Sequence, residues 1–226
     1  MKAPLVVGAD GRQSIIRHKA GFEVMDFGSR IDVVWFRLPR LANDPVVPIQ
    51  HMDERPGVVI YDRGDTWRCG LVILKGSFLQ LREAGLDAFK KRVAPHLPFP
   101  AERLDALHDW GQTSLLPVRL DRIVRWWAPG LLCIGDAAHA MSPAGGVGVN
   151  LAIQDAVATA RILAAPLREG RLTEDDLAAV EERRLFPTWV MQIEISIKLG
   201  VQGHCCASPA GQGWATERRF AMSSFA

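Results

Sequence analysis

The pattern of apolar and polar positions predicts an α/β frame before and after a β-rich middle part. Two short apolar runs, residues 4–8 and 131–134, predict buried strands that each end in a tight turn. After the second run, helical spacing of apolar residues predicts a long helix over residues 146–163, broken near Pro166. A further helix over residues 173–185 is predicted to begin with an acidic first turn.

The middle of the chain has the pattern of an antiparallel sheet. Runs rich in Val, Ile, Trp and Phe predict strands at residues 31–38, 57–62, 67–74 and 114–120. The turn residues Arg63-Gly64-Asp65 predict a hairpin between the second and third of these strands. Apolar spacing then predicts a helix over residues 78–93, although Gly85 weakens the pattern.

Composition and charge mainly exclude classes of function. The 226 residues carry a formal net charge of +2, which gives no footprint for nucleic acid or for an acidic membrane surface. No apolar run reaches the about 18 residues that a membrane span needs, so we expect no transmembrane segment. The four cysteines form no C-x-x-C pair and lack zinc spacing. We therefore expect no metal site and a cytoplasmic location.

The most informative segment follows the second predicted strand. Asp136 places a carboxylate at the end of that strand, where it can accept hydrogen bonds from two ribose or ribitol hydroxyls. The glycine-rich loop over residues 143–150 lets backbone approach a flat ring, and the helix behind it offers unpaired N–H groups. These features favour a nucleotide-type cofactor. From spacing alone, the alternative that the glycines only let a helix pack closely on a sheet stays open.

A second segment, near the start of the chain, has two interpretations. Asp10 ends the first predicted strand and can lock a turn by accepting hydrogen bonds from backbone N–H groups. Arg12 and Arg17 supply positive charge for a phosphate. An ordinary Asp-Gly turn, followed by a helix that Ser14 caps, accounts for the same residues.

The two segments together resemble a known family. Gly8-Ala-Asp-Gly-x-x-Ser-x-x-Arg17 precedes about a hundred residues of β-sheet character, and Gly135-Asp-Ala-Ala-His139 with Pro-x-x-Gly-x-Gly-x-Asn150 follows them. This order and spacing resemble the class A flavoprotein monooxygenases. These are the aromatic-ring hydroxylases related to p-hydroxybenzoate hydroxylase and to the ubiquinone-biosynthesis hydroxylases. The resemblance covers roughly residues 5–193 and fades after them.

The resemblance implies cofactor-binding roles at matched positions and no universal catalytic side chain. Asp136, with Gly135, matches the acidic segment that binds the ribityl or ribose part of FAD. The loop expected against the isoalloxazine contains Pro143, Gly145, Gly146, Val147, Gly148 and Asn150. The segment expected near the FAD pyrophosphate, and used for NAD(P)H, contains Asp10, Gly11 and Arg17.

The fold implied by the resemblance is α/β: a Rossmann-like FAD/NAD(P)-binding domain of the GR2 type with an inserted, mostly antiparallel β-sheet substrate domain. We expect residues 1–30 and 121–200 to form the FAD-binding domain, residues 31–120 the substrate domain, and residues 201–226 a poorly ordered tail. Members of the family begin with a βαβ unit that carries Gly-x-Gly-x-x-Gly. This sequence starts almost at the Asp-Gly segment, so we expect that unit to be missing.

The implied function is that of an FAD-dependent monooxygenase. NAD(P)H would reduce FAD, and a flavin C4a-hydroperoxide formed with O₂ would hydroxylate an aromatic or similar apolar substrate. An alternative is a catalytically inactive remnant, or a fragment that needs a partner and does not bind FAD. A related flavoprotein reaction, such as halogenation or reduction of an isoprenoid chain, also stays open. The sequence leaves the substrate, the choice of NADH or NADPH and the oligomeric state undetermined.

Overall fold

The structure is a computed structural model that describes residues 3–45, 57–143 and 146–198. The strands in these ranges are β1 (Val6–Gly8), β2 (Val24–Asp26), β3 (Ile31–Pro39), β4 (Val58–Asp62), β5 (Thr66–Leu74), β6 (Ser114–Leu116), β7 (Asp121–Ile123), β8 (Trp127–Ala128) and β9 (Leu131–Cys133). The α-helices are α1 (Ile15–Lys19), α2 (Phe78–Glu83), α3 (Leu86–Val93), α4 (Val147–Arg168) and α5 (Glu174–Lys198). The predicted α/β class is confirmed, with one mixed and two antiparallel sheets. The predicted residue Gly145 and the tail 201–226 lie outside the described residues.

The mixed sheet brings the two motif segments side by side. Strand β1 runs parallel to β9, with Val6 opposite Leu131 and Gly8 opposite Cys133, and β8 pairs antiparallel on the other side of β9. Because parallel neighbours end at the same edge of a sheet, the turns that follow Gly8 and Cys133 meet there. The Asp10 and Asp136 segments, far apart in sequence, are therefore neighbours in the fold.

The predicted antiparallel sheet is confirmed and has the strand order β4-β5-β3-β6. Alternate residues of its long strands face a core closed by α2, α3 and the 3₁₀ turns that follow them. The buried members from the sheet are Val34, Phe36, Leu38, Val58, Ile60, Trp67, Cys69, Leu71 and Ile73. The other face carries a smaller cluster around Val33, Val72 and Val118. This second face is left partly uncovered and lies toward the Asp136 loop.

Two predictions in the middle of the chain need correction. The single helix expected over residues 78–93 is two helices, because Gly85 adopts φ +90 and separates α2 from α3. A left-handed backbone of this kind ends a helix and favours glycine. The strand expected over residues 114–120 is paired with β3 only over Ser114–Leu116. After it the chain leaves the sheet, and it pairs again as β7 with β2, two short strands absent from the prediction.

The helices after the glycine-rich loop are longer than predicted. Helix α4 continues through Pro166 to Arg168, so the expected break is wrong. Pro166 has no N–H to donate to the helix, and α4 ends two residues after it. Helix α5 begins where Thr173 and Asp176 cap each other, since the Asp176 carboxylate accepts from the Thr173 backbone N–H at 2.8 Å. It runs to Lys198, past the predicted end at residue 185 and through Pro187.

Helix α4 is long and apolar enough, among the described helices, to cross a membrane by length and composition. That is weak evidence, because a core helix of a soluble protein passes the same test. Helix α4 packs on α5 and carries the fully buried Asp155 near its middle. That α4 does not span a membrane stays a prediction.

Candidate functional site

A sharp turn at the end of β9 presents the predicted acid. Gly135 has φ +57 and begins a 3₁₀ turn, Gly135–Ala137. A Cβ on Gly135 would lie 3.0 Å from the Cβ of Ala152 in α4, so glycine permits both the left-handed backbone and the close approach of the helix. The Gly135 N–H donates to Asp155 Oδ2 at 2.9 Å. The turn is thus anchored from behind, and Asp136 lies on its open side.

The Asp136 carboxylate meets the Asp10 segment across the edge of the mixed sheet. Arg12 Nη2 donates to Asp136 Oδ2 at 3.0 Å, and both side chains remain about a quarter exposed, at 28% and 26%. The second terminal nitrogen, Arg12 Nη1, is buried and has no hydrogen-bond partner among the described residues. A buried guanidinium nitrogen without an acceptor is costly, and a bound polar group would relieve it. Because its Oδ1 makes no hydrogen bond within the described chain, Asp136 keeps accepting capacity.

The start of α4 lies next to this acid. Gly146 is the N-cap residue of α4 and has φ +65. As a glycine it has no side chain that could cap the helix. A Cβ on Gly148 would lie 3.9 Å from Asp136 Oδ1 and 3.5 Å from Met141 Cβ, so the bare backbone approaches the carboxylate closely. No described side chain caps the first turn of α4, and the positive end of its dipole points toward the cleft. Of the other predicted loop residues, Pro143 is half-buried and Asn150 exposed.

A cleft of about 410 Å³ joins these groups to the antiparallel sheet. One wall contains Arg12, Asp136, Pro143, Gly146, Gly148 and Val149, and the other contains Trp35, Tyr61, Arg63 and Arg68. The predicted residues around Asp136 therefore share one site with the uncovered face of the sheet. The predicted Val147 is half-buried beside this wall and packs against the core cluster that includes Met141 and Leu151.

Apart from Arg12, the described side chains of the Asp10 segment lie outside the cleft. Asp10 accepts from the Ser14 hydroxyl at 2.5 Å and from the Ile16 N–H at 3.2 Å, and the Ser14 hydrogen bond lowers the pKa of Asp10. Gly11 adopts φ +83, which fits the predicted Asp-Gly turn. The Ser14 cap on α1 is also present, since its hydroxyl accepts from the Arg17 N–H at 2.9 Å. None of these side chains lines the cleft.

Arg17 holds the segment in place by two hydrogen bonds, one of them buried and the other part-buried. Its Nη1 donates to Asp121 Oδ1 at 3.0 Å, and its Nη2 donates to the Arg12 carbonyl at 2.9 Å. The Arg17 side chain is only 8% exposed. It lies at the edge of a second cavity of about 800 Å³, which is lined by Arg119, Asp121 and most of the residues between Gln13 and Asp26. Arg17 thus acts on the cleft through Arg12, and a direct contact with the cofactor stays a prediction.

A buried network behind the turn was missed from the sequence. Asp155 on α4 contacts His139 Nε2 at 2.6 Å, and it accepts from Arg184 Nε on α5 at 2.7 Å. Burial acts to raise the pKa of Asp155, but the hydrogen bonds from His139 and Arg184 outweigh it, and the pKa lies below its ordinary value. The available signal was the position of Asp155, a carboxylate on the apolar stripe of α4 between Leu151 and Ala158.

These features define a class of site. A carboxylate with free accepting capacity, an unsatisfied arginine nitrogen, and a helix N-terminus behind bare glycine backbone fit a nucleotide cofactor with hydroxyls and a flat, electron-rich ring. The residues present therefore fit FAD. A protein-family model described as "FAD binding domain" matches residues 1–193, and the chain belongs to this family.

Comparisons with individual proteins agree with that assignment. The chain is 36% identical over 187 residues to 6-methylpretetramide 4-monooxygenase of Streptomyces rimosus, covering 81% of this chain and 44% of that protein. It is 25% identical over 209 residues to 3-demethoxyubiquinol 3-hydroxylase of Escherichia coli, covering 85% and 49%. The chain thus spans about half the length of these relatives.

Solved structures share the fold. PqsL of Pseudomonas aeruginosa, described as a probable FAD-dependent monooxygenase, superposes with a TM-score of 0.66 at 22% identity, over 88% of this chain and 56% of that one. The predicted resemblance to flavoprotein monooxygenases and the predicted cofactor FAD are confirmed at the level of the family. The roles of the individual site residues stay predictions.

Proposed function

We propose that the chain is the FAD-binding part of a monooxygenase that uses NAD(P)H and O₂ to hydroxylate an aromatic or similar apolar substrate. The observation that carries this proposal is the shared cleft: the Asp136 carboxylate and the α4 N-terminus form one wall, and an aromatic sheet face forms the other. FAD, when bound, supplies the redox chemistry that activates oxygen. The protein's own groups bind the cofactor, orient it and shield it from water.

Asp136 is the group that would hold the sugar-alcohol part of the cofactor. Its free oxygen capacity suits hydroxyl donors, and Arg12 fixes the carboxylate at 3.0 Å from its own Nη2. The unsatisfied Arg12 Nη1 would find its acceptor on the same ligand. Hydrogen bonds to a charged group are worth about 1.5–3 kcal/mol, enough to matter for affinity.

The start of α4 would lie against the ring system. Gly146 and Gly148 bring backbone to the cleft without a Cβ, alongside Pro143, Gly145, Val147 and Asn150 as predicted partners. The helix dipole there stabilises negative charge by about 0.3–2 kcal/mol. That contribution favours the reduced form of a flavin, whose pyrimidine edge becomes anionic. The pyrophosphate of the cofactor would lie near Asp10, Gly11 and Arg17. Arg17 would act there through its hydrogen bond to the Arg12 carbonyl.

The remaining parts of the proposal concern substrate and organisation. Residues 1–30 and 121–200 form the Rossmann-like cofactor part and residues 31–120 the substrate part. An aromatic substrate agrees with the names of the relatives and with the structure of PqsL in complex with 2-aminobenzoylacetate. Cys69 and Cys133 are buried free thiols, which supports a reducing, cytoplasmic location.

The test is cofactor uptake followed by turnover. The purified chain is titrated with FAD, and binding is followed by flavin absorbance near about 450 nm. Oxidation of NADH and of NADPH is then measured with and without aromatic carboxylates and phenols. The proposal predicts bound flavin and substrate-stimulated NAD(P)H oxidation with a hydroxylated product. A colourless protein that takes up no FAD would instead favour the remnant or partner-dependent fragment.

A further inference from the structure

One position on the sheet wall, Gly70, is screened from the cleft by its neighbour. Gly70 on β5 is the direct cross-strand partner of Trp35 on β3. A Cβ on Gly70 would lie 2.8 Å from Cζ3 and 2.9 Å from Cε3 of the Trp35 indole. Trp35 lines the cleft, whereas Gly70 is buried and is not among the described residues that line it. The indole therefore lies between the backbone of Gly70 and the cleft.

The bare backbone at Gly70 is a cost to the sheet. Glycine in a strand interior weakens the strand, because it has no side chain to pack and loses more backbone freedom on folding than other residues. The next residues of β5 on the same face, Arg68 and Val72, both carry large side chains. A glycine in such a place marks the close approach of another group, and here that group is the indole. This part of the wall is thus an aromatic ring laid over bare backbone.

Two further residues hold the indole in place. The Arg68 guanidinium carbon is 5.1 Å from the centre of the Trp35 ring. The Trp35 and Tyr61 rings are 5.9 Å apart, with planes tilted by 32°. Both neighbours also line the cleft, and Trp35 itself is half-buried. Trp35 is therefore a fixed part of the wall.

We infer that Trp35 sets the width of the cleft between the sheet and the start of α4, and so decides how thick a ligand the substrate side accepts. Carbon atoms in contact stay about 3.5–4.0 Å apart, so removal of the indole would widen the cleft over Gly70 by about one ring thickness. A molecule with bulk on both sides of its mean plane would meet Trp35, and a flat one would not. This inference rests on the proposed function and names a specificity-determining residue of the same site.

The test uses two neutral probes that differ in thickness. The FAD-loaded full chain is titrated calorimetrically with the flat 2-naphthamide and with the cage-shaped adamantane-1-carboxamide. We expect the unmodified chain to bind the flat amide at least about tenfold more tightly than the cage amide. In Trp35→Ala the affinity for the cage amide should rise by at least about tenfold, because the space over Gly70 becomes free. Trp35→Phe, which keeps a smaller ring, should give an intermediate affinity.

The absolute affinity for the cage amide separates this role from simple stacking. If Trp35 served only as a stacking surface, its truncation would weaken binding of the flat amide and leave that of the cage amide unchanged. The matched control is Trp110→Ala. Trp110 is also half-buried, but it packs against the core on the helix-covered side of the sheet, with its ring 5.4 Å from that of Phe89. This variant should keep the full preference for the flat amide.

Unchanged or weaker binding of the cage amide by Trp35→Ala would overturn the inference. Equal binding of the two probes by the unmodified chain, or no binding of either, would overturn it as well. If Trp35→Ala does not fold, Trp35→Phe decides by the same criterion. FAD uptake is recorded separately for each variant. Normal uptake without the expected change in preference refutes only this inference, and failure of uptake in the unmodified chain refutes the proposed function.

Discussion

His139 Nε2 lies 2.6 Å from Oδ2 of Asp155, and the same Oδ2 accepts the Gly135 N–H at 2.9 Å. Asp155 therefore ties the turn that presents Asp136 to the middle of α4. Arg184 extends the tie to α5 through its 2.7 Å contact with the other carboxylate oxygen. Since His139 and Asp155 are 1% or less exposed, water cannot replace any of these contacts.

Replacing Asp155 with Asn should strongly destabilise the fold. The substitution leaves Arg184 buried with an uncompensated charge, and breaking such a pair costs about 3–5 kcal/mol. Urea unfolding of the variant and the unmodified chain measures the difference. The control is Asp175→Asn in the exposed first turn of α5, which should cost far less. Equal stability of the two variants would contradict the network's structural role.

The same carboxylate predicts how stability depends on pH. The folded-state pKa of Asp155 lies below its ordinary value, because the His139 and Arg184 hydrogen bonds outweigh burial. Its contribution is therefore fully present above the unfolded pKa of about 3.9 and is lost as pH falls through the folded value. Free energies of unfolding measured from about pH 6 down to pH 2 should fall more steeply for the unmodified chain than for Asp155→Asn. If the free energies of unfolding of the two proteins changed with pH in parallel, the lowered pKa of Asp155 would be contradicted.

Gly70→Ala should destabilise the sheet by about 1–3 kcal/mol, because the new methyl group overpacks against Trp35 and Val33. Adding Trp35→Leu should recover part of that loss, since two of the three closest atoms belong to the indole ring. Thermal unfolding of the single and double variants gives the coupling between the two positions. Strictly additive effects would mean that the indole does not lie over Gly70.

Arg17→Gln should lower the free energy of unfolding, and its effect should not be limited to cofactor binding. The Arg17 and Asp121 side chains are 8% and 5% exposed, and loss of one partner of a buried pair costs about 3–5 kcal/mol. Unfolding and FAD affinity are measured on the same samples, with the exposed Arg161→Gln as control. A weaker affinity for FAD at unchanged stability would instead assign Arg17 a direct contact with the cofactor.

Local chemistry was enough to predict the strands and turns that carry the motifs. The run at residues 131–134, the left-handed turn at Gly135 and the Ser14 cap all depend on near neighbours in sequence. The β4–β5 hairpin follows from alternation and its turn residues in the same way. These parts agree with the structure because the residue types that favour each of them lie close together in sequence.

The parts of the fold and of the site that the sequence did not predict depend on contacts between residues far apart in sequence. The β2–β7 pair joins strands nearly a hundred positions apart, and each is only three residues long, too short for a periodic signal. The contact between Arg184 and Asp155 requires the packing of α5 on α4, which neither helix reveals alone. The aromatic and arginine wall was likewise hidden, because Trp35, Tyr61 and Arg68 come from three separate strands.

Binding of FAD by Asp136 is tested most directly by the dissociation constant of FAD, measured for the unmodified chain and for Asp136→Ala. We predict that the alanine variant binds about 1.5–3 kcal/mol more weakly, roughly a 10- to 150-fold loss. Asp87→Ala, which removes an exposed carboxylate from the first turn of α3, should bind FAD normally. An unchanged dissociation constant in Asp136→Ala would contradict binding of FAD by Asp136.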